Sequence, residues 1–312
     1  MGSQHRFRFG VQCGYPHPTY SWWELARRIE ALGYSTLLLP DHFVDTVIAP
    51  MPALAMAAEA TSTLRVCALV LDNDYKHPAI VAKETATIDV LSDGRVDLGI
   101  GAGWQIVDYT ALGIPYDSAG TRIARLDEAL QVIKGCLAGE AFSFAGEHYT
   151  ITDYTATPKP AQSHVPVLIG GGAPKILGLA GREADIVGIN PNLRVGAITA
   201  DAAQSASSAE TLKKLDWIKQ GAGSRFDDIE LQIRYFVHAV TDDREGFAAA
   251  MAPALEAEPA DVLGSGAVLV GTREEIVDTL VQRREEWGVT NVVVGSDFFE
   301  DFAPIVAQLA GS

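Results

Sequence analysis

Eight short apolar runs, each followed by a longer segment of helical periodicity, place the strongest constraint on how this chain can fold. Several runs show no alternation of apolar and polar residues, as at 37–39 and 292–294, which is typical of strands covered on both faces. Together they indicate repeated β-α units around a parallel sheet, and eight such strands predict a closed (β/α)8 (TIM) barrel, with residues 1–312 forming a single domain. The predicted strands are residues 9–13, 36–40, 65–71, 96–101, 167–170, 185–189, 231–240 and 291–295.

The segments between the runs carry helix and turn signals. Ser21 with Glu24, and Thr272 with Glu275, match the capping box that begins a helix. The alternation at 142–151 predicts an inserted β-hairpin. The segment 191–225 is long for a connection in a barrel, and either a mobile lid or a surface excursion without function accounts for it.

Charge and cysteine content limit the partners of the chain. Forty acidic and 24 basic residues give a net charge of −16, which argues against binding to nucleic acid or to an anionic membrane surface. The three cysteines have no motif spacing and are expected to be reduced. Without a signal peptide or an apolar run of the roughly 20 residues that span a membrane, we expect a cytoplasmic protein.

The carboxyl ends of the predicted strands are where a barrel of this type places its functional groups. His42 directly follows the second run, where an imidazole is able to donate or accept a proton at neutral pH. A histidine held in a structural hydrogen bond explains the same position. His238 also lies at a predicted strand end, and a buried structural role explains it equally well.

Two glycine clusters follow strands. Gly171, Gly172 and Ala173 stand before Pro174 at a predicted helix start, where free backbone N–H groups suit a phosphate, although a tight turn also needs such glycines. The cluster at 99–103 allows a flat ring to approach the backbone, or allows close packing of a helix on a strand. The first of these clusters does not match the dinucleotide motif GxGxxG.

Metal-binding and nucleophile motifs do not occur in the sequence. There is no HxH, HExxH, GxSxG or Walker A pattern, so we expect no metal site. A barrel hydrolase that uses His42 with Asp41 or Asp297 is a remaining alternative to redox chemistry.

Taken as an ordered series, these motifs resemble the luciferase-like monooxygenase superfamily. The resemblance is to its branch of oxidoreductases that depend on the deazaflavin coenzyme F-420 (F420). The residues that carry it are LPDHF at 39–43, RVCALVLDNDYKHPAIVAKETATIDVLSDGRVDLGIGAGW at 65–104, VPVLIGGGAPKILGLAGREADIVG at 165–188, LVGTREEIVDTLVQRREEWGV at 269–289 and FAPIVAQLAG at 302–311.

The resemblance implies a flavin-like cofactor at the C-terminal mouth of the barrel. It implies that the ring rests on a bulge of the third strand, often with a non-proline cis peptide, here near Ala68 and Leu69. His42 would then lie near the reactive centre. Phosphate-binding backbone maps onto Gly171, Gly172 and Ala173, and the ribityl chain would pass Gly101 and Gly103.

Further implications concern the choice of cofactor and substrate. Asp41 suits the deazaflavin branch but is compatible with FMN. Trp104 stands where the sugar-phosphate dehydrogenases of this branch carry a glutamate, which argues against glucose 6-phosphate as a substrate. Tyr15 and Asp74 are predicted, with Trp104, to form walls of the substrate pocket.

The resemblance therefore predicts hydride transfer between coenzyme F-420 and a small organic substrate, with His42 as the proton donor or acceptor. One alternative is an FMN-dependent two-component monooxygenase that uses oxygen and a separate cofactor-reducing enzyme. Another is a flavin-binding protein without catalysis. A homodimer is also expected from the resemblance.

Overall fold

A parallel barrel forms the centre of the computed structural model, which describes residues 5–193, 196–197 and 200–312, without the side chains of Ala200 and Ala203. The strands of the structure, within and outside the barrel, are β1 (Arg8–Gln12), β2 (Thr36–Leu39), β3 (Arg65–Ala68), β4 (Leu71–Asp72), β5 (Val96–Gly101), β6 (Phe142–Ala145), β7 (Thr150–Tyr154), β8 (Val167–Gly171), β9 (Ile186–Ile189), β10 (Glu230–Arg234), β11 (Val237–Val240), β12 (Val268–Gly271) and β13 (Val289–Gly295). Its helices are α1 (Trp22–Ala31), α2 (Pro50–Ala60), α3 (Pro78–Leu91), α4 (Ile106–Leu112), α5 (Ala119–Ala138), α6 (Pro174–Glu183), α7 (Ala200–Gln204), α8 (Ser208–Ala222), α9 (Arg244–Met251), α10 (Pro259–Leu263), α11 (Arg273–Trp287) and α12 (Phe299–Leu309), with 3-10 turns at Asn73–Tyr75 and Gly223–Asp228.

The barrel strands follow the order β3-β2-β1-β13-β10-β9-β8-β5, and pairing of β3 with β5 closes the ring. Each pair of neighbouring barrel strands is hydrogen-bonded in parallel orientation. All seven residues of β13 are buried, because helices cover the outside while apolar side chains fill the inside. The (β/α)8 prediction is thus confirmed. The small internal core consists of Leu38, Cys67, Leu168, Ile186 and Val293.

Six predicted strands agree with the structure to within two residues at each end, but the prediction of one strand over 231–240 is wrong. Barrel strand β10 ends at Arg234, and after Tyr235 the chain leaves the ring. The following strand β11 pairs with β12 in a separate two-stranded parallel sheet. The sequence LQIRYFVHAV has no glycine, proline or turn motif between the two strands, so its pattern does not reveal the break. Strand β12 was not predicted.

The third predicted strand, 65–71, is divided by a bulge. Cys67 pairs with Asp97, and Leu71 pairs with Ile100. Between these two pairs the third strand advances by four residues and β5 by three, so the third strand contains one extra residue. The peptide bond between Leu69 and Val70 is cis, one residue beyond the expected position.

Gly99 makes this bulge possible. A Cβ atom on Gly99 would overlap the carbonyl oxygen of Ala68. Any larger residue would therefore push the third strand away from β5.

The local signals for helices and for the hairpin are confirmed. The backbone N–H of Ser21 donates to Glu24 Oε2 (3.0 Å), and that of Thr272 donates to Glu275 Oε2 (2.8 Å). Strands β6 and β7 form the inserted antiparallel hairpin.

The predicted lid spans residues 191–225, and four of these residues, Arg194, Val195, Ile198 and Thr199, are not among those that the structure describes. The lid therefore stays a prediction. In the described part of the chain, no helix is both long enough and apolar enough to cross a membrane.

We predict that Gly99→Ala destabilises the protein by about 3 kcal/mol or more, because the added methyl group has no space beside Ala68. Gly178→Ala is the matched control: it lies in helix α6, and an added methyl group there would meet no atom within 4 Å. This control should stabilise the protein by about 0.5 kcal/mol. Urea unfolding of the two variants and the wild type measures both effects. Equal stability of Gly99→Ala and wild type would contradict the role of Gly99.

Candidate active site

A cavity of about 1350 Å³ opens at the C-terminal end of the barrel. Its walls come from the ends of the barrel strands and the loops that follow them. Residues 252–258 and helix α10 form part of its outer wall. The volume exceeds the roughly 300–1000 Å³ of an ordinary ligand pocket, so it is large enough for a cofactor together with a substrate.

His42 is held by a buried aspartate. Its Nδ1 atom lies 2.9 Å from Oδ2 of Asp108, whose side chain is fully buried in helix α4. The other carboxylate oxygen of Asp108 accepts hydrogen bonds from the backbone N–H groups of Phe43 (3.0 Å) and Val44 (2.8 Å). These contacts fix the position of the ring and favour the tautomer with its proton on Nδ1.

The electrostatics of Asp108 favour its charged form. Burial acts to raise the pKa of this carboxyl, but the hydrogen bonds from Val44, His42 and Phe43 outweigh burial and hold the pKa below its ordinary value. An ionised Asp108 accepts a hydrogen bond from Nδ1. Nε2 of His42, which has no hydrogen-bond partner in the described residues, is then left to exchange a proton in the cavity.

Aromatic and acidic side chains surround His42. The Trp104 ring meets the imidazole edge to face, with 5.4 Å between ring centroids. Oδ2 of Asp41 accepts the backbone N–H of Asp72 (3.2 Å). Burial raises the pKa of Asp41 and raises that of Asp72 to about 7, with hydrogen bonds from Asp74 and Tyr109 opposing the shift. Asp72 is thus a cavity carboxyl that holds a proton near neutral pH.

The loop after β5 is built from glycine for steric reasons. Gly103 has a φ of +74°, and a Cβ there would overlap the Tyr109 hydroxyl and the Asp72 carboxylate. A Cβ on Gly101 would lie 2.8 Å from a methyl group of Val70. Arg122 holds this loop by donating to the carbonyl oxygens of Ala102 (3.1 Å) and Gly103 (3.3 Å).

A glycine turn lies between β8 and α6. Helix α6 begins after Ala173, with Pro174 at its first position, and the N-cap residue Ala173 makes no side-chain capping hydrogen bond. A Cβ on Gly172 would overlap the carbonyl of Pro191, and one on Gly171 would crowd Ile176. The turn therefore leaves backbone N–H groups next to the cavity, where they are able to bind an anion.

The cavity lining includes nine of the twelve predicted site residues. These are His42, Asp41, Leu69, Gly101, Gly103, Trp104, Gly171, Gly172 and Ala173. Ala68 is buried beneath the bulge, and Leu69 and Val70 face the cavity instead.

The other two predicted residues lie outside the lining. Tyr15 packs edge to face on Trp22. Asp74 forms an ion pair with Arg125 at 2.7 Å, and its neighbour Asp72 lines the cavity in its place. His238 is not at a barrel strand end either, since it lies in β11 and stacks on Phe298.

Sequence reasoning missed two charged residues of the site. Asp108 lies 66 positions after His42, and its only signal is an acidic residue within the apolar stretch IVDYTAL. Arg234 is a charged residue at the carboxyl end of a barrel strand, which is a signal for a functional residue. Among the described residues the lining has seven carboxylates and two guanidinium groups, which are Asp41, Asp45, Asp72, Glu256, Glu258, Asp261, Asp297, Arg122 and Arg234.

The fold and the site define a (β/α)8 barrel whose polar groups gather in a deep cavity at the C-terminal mouth. The model of the family described as luciferase-like monooxygenase matches residues 5–291. The chain belongs to this family of oxidoreductases and monooxygenases.

Two curated relatives differ in their cofactors. The F420-dependent glucose-6-phosphate dehydrogenase of Microbacterium testaceum is 34% identical over 163 residues, which cover 50% of this chain and 48% of the relative. The FMNH(2)-dependent dimethylsulfone monooxygenase of Pseudomonas putida is 30% identical over 209 residues, which cover 66% of this chain and 53% of the relative. The chain thus spans about half the length of each. Both cofactors occur among its relatives.

A solved structure agrees over the whole fold. The coenzyme F420 dependent tetrahydromethanopterin reductase from Methanopyrus kandleri superposes with a TM-score of 0.75 at 20% identity. The superposition covers 98% of this chain and 99% of the reductase. At this level of identity the likeness establishes a shared fold.

We predict that Asp72→Asn is more stable than the wild type at pH 8 by an amount on the order of 2 to 4 kcal/mol. The folded state holds the Asp72 proton up to about pH 7, whereas an unfolded aspartate releases it near pH 4. Wild-type stability therefore falls relative to the variant as the pH rises from 4 to 7, and the two should converge near pH 4.

Chemical unfolding at pH 5, 6, 7 and 8 measures this difference, with Asp216→Asn on the exposed face of α8 as a control for the overall charge. A difference between Asp72→Asn and wild type that does not change with pH would show that Asp72 ionises normally.

Proposed function

We propose that the chain is an oxidoreductase that transfers a hydride between bound coenzyme F-420 and a small organic substrate. The observation that carries this proposal is the placement of the His42–Asp108 pair, the strand-three bulge and the glycine turn in one cavity. The proposal agrees with the F420-dependent relatives and with the LPDHF motif around His42.

The residues present fit a flavin-type cofactor. Leu69 and Val70 offer an apolar surface for a flat ring. Gly101 has no side chain beside this surface, where a Cβ atom would crowd Val70. The uncapped start of α6, with Gly172 and Ala173, suits the phosphate group. When bound, such a cofactor supplies hydride exchange at its ring.

His42 would accept or donate the proton that accompanies hydride transfer. Oxidation of a substrate C–H and O–H pair releases a hydride and a proton, and Nε2 of His42 would accept that proton. The resulting imidazolium is stabilised by Asp108, which is ionised and buried. In the reverse direction His42 would return the proton to the substrate oxygen.

The second candidate is an FMN-dependent monooxygenase. The acidic outer wall favours it, because Glu256, Glu258 and Asp261 would repel the additional carboxylates of a deazaflavin tail more than they would repel the single phosphate of FMN. In this case the protein would receive reduced FMN from a separate reductase. The P. putida relative, whose name includes FMNH(2), agrees with this alternative.

Titration of the purified protein with FMN and with coenzyme F-420, followed by cofactor fluorescence, tests the choice of cofactor. We expect F-420 to bind at least 10-fold more tightly than FMN. The opposite preference, together with oxygen consumption in the presence of reduced FMN, would favour the monooxygenase. If neither cofactor binds, the redox proposal is wrong.

We further predict that His42→Ala and Asp108→Asn lower kcat by about 100-fold or more, while the Kd for the cofactor changes by less than about 3-fold. The reason is that His42→Ala removes the proton carrier and Asp108→Asn removes the charge that positions it, while both leave the glycine turn and the bulge intact. Steady-state kinetics with saturating cofactor measures the loss.

His164→Ala is the matched control, because His164 pairs with Asp185 at 2.8 Å but is 63% exposed and lies outside the cavity. Full turnover of His42→Ala would remove His42 from the mechanism.

A further inference from the structure

Arg234 is a cavity cation without a matching anion. It is the last residue of β10 and lines the cavity. Its Nε atom donates to Oε1 of Gln12 (2.8 Å), and its guanidinium lies over the Phe236 ring at 5.0 Å from the centroid. The terminal nitrogens have no hydrogen-bond partner in the part of the chain that the structure describes, although Nη1 is buried.

Other inward-facing arginines do not share this property. Arg65 and Arg8 pair with the carboxylate of Asp97, and Arg122 donates to backbone carbonyls. No carboxylate among the described residues lies within 4.0 Å of the Arg234 guanidinium, and the acidic residue that acts on it, Asp297, has a side chain that is 79% exposed.

Burial without a close counter-charge has a measurable consequence for Arg234. It lowers the pKa of this guanidinium to about 10. Burying an unpaired charge costs stability, so a protein that keeps one is expected to use it on a ligand.

The position of Arg234 points to the substrate side of the cavity. Around the ring, β10 lies three strands from β2, which carries His42, and two strands from β8, which carries the glycine turn. Arg234 therefore lies across the mouth from His42, on a strand other than the one that carries the proposed phosphate site. Gly295 on the adjacent strand leaves room for the guanidinium, since a Cβ there would lie 2.9 Å from Nη2.

We infer that Arg234 is a substrate-binding residue and that the substrate carries an anionic oxygen group, such as a carboxylate, which binds the terminal nitrogens of its guanidinium. This inference rests on the proposed function, because it names the substrate class of the same cavity. The lining also carries seven carboxylates, which would repel such a group over much of the wall. Arg122 is held by backbone carbonyl oxygens and the glycine turn is the proposed phosphate site, so Arg234 is the cation left for the substrate anion. The substrate would therefore bind in one orientation, with its anion at Arg234.

The test uses benzoate, a carboxylate whose ring suits the apolar walls, against wild type, Arg234→Met and Arg234→Lys. Calorimetric titration is carried out in sodium chloride of matched ionic strength. We expect at least 10-fold weaker benzoate binding by Arg234→Met and an intermediate loss for Arg234→Lys. Arg27→Met, on the exposed face of α1, is the control and should bind benzoate as the wild type does.

Thermal unfolding without benzoate separates a binding role from a structural one. We expect Arg234→Met to raise the Tm, because it removes an unpaired buried charge. A lower Tm for both Arg234→Met and Arg234→Lys would show that the guanidinium stabilises the fold and would overturn the inference. Unchanged benzoate binding by Arg234→Met would overturn it as well.

Cofactor titrations of the same variants separate this inference from the proposed function. If Arg234→Met lost FMN or F-420 binding in place of benzoate binding, the anion would be the cofactor's and the substrate assignment would be wrong. If the wild type bound neither cofactor but bound benzoate through Arg234, the redox proposal would fail while the anion-binding role of Arg234 stood.

Discussion

The approach of the Ala68 carbonyl to Gly99 is the contact on which the rest of the site depends. It lets the third strand carry an extra residue and still pair with β5 on both sides of the bulge. The ring closes there, and the extra residue turns Leu69 and Val70 towards the cavity. A side chain at 99 would force a choice between a closed barrel and a bulge, and the wall of the proposed ring site exists only when both are present.

Much of the fold could be predicted because the barrel strands are covered on both faces and therefore appear as unbroken apolar runs. The error at 231–240 has a different cause: a barrel strand and an outer strand are joined by Tyr235 and Phe236 without a glycine, proline or other turn residue. A strand that leaves the ring keeps its apolar character when it packs under helices, as β11 and β12 do beneath α9 and α10.

The candidate site was predictable where the backbone forms it and was missed where distant side chains form it. Glycine has a local signature, so the turn at 171–172 and the loop at 101–103 could be found from sequence. Asp108 has none, because its role comes from tertiary contacts with His42 and with two backbone N–H groups. Asp74 was predicted in place of Asp72 because residues two apart in an irregular segment cannot be distinguished by periodicity.

The two ends of the barrel differ in whether their buried charged groups have partners. At the amino-terminal end, Arg8 and Arg65 share Asp97, and Arg8 also pairs with Glu230 at 2.8 Å. At the mouth, Asp72 holds a proton near neutral pH and Arg234 has no close counter-ion. A buried charge with a partner costs less than one without, so an unpaired cation such as Arg234 destabilises the fold and remains free for a ligand. The paired end thus avoids the destabilisation that an uncompensated buried charge brings, whereas Arg234 at the mouth has no such partner and is available to a charged ligand.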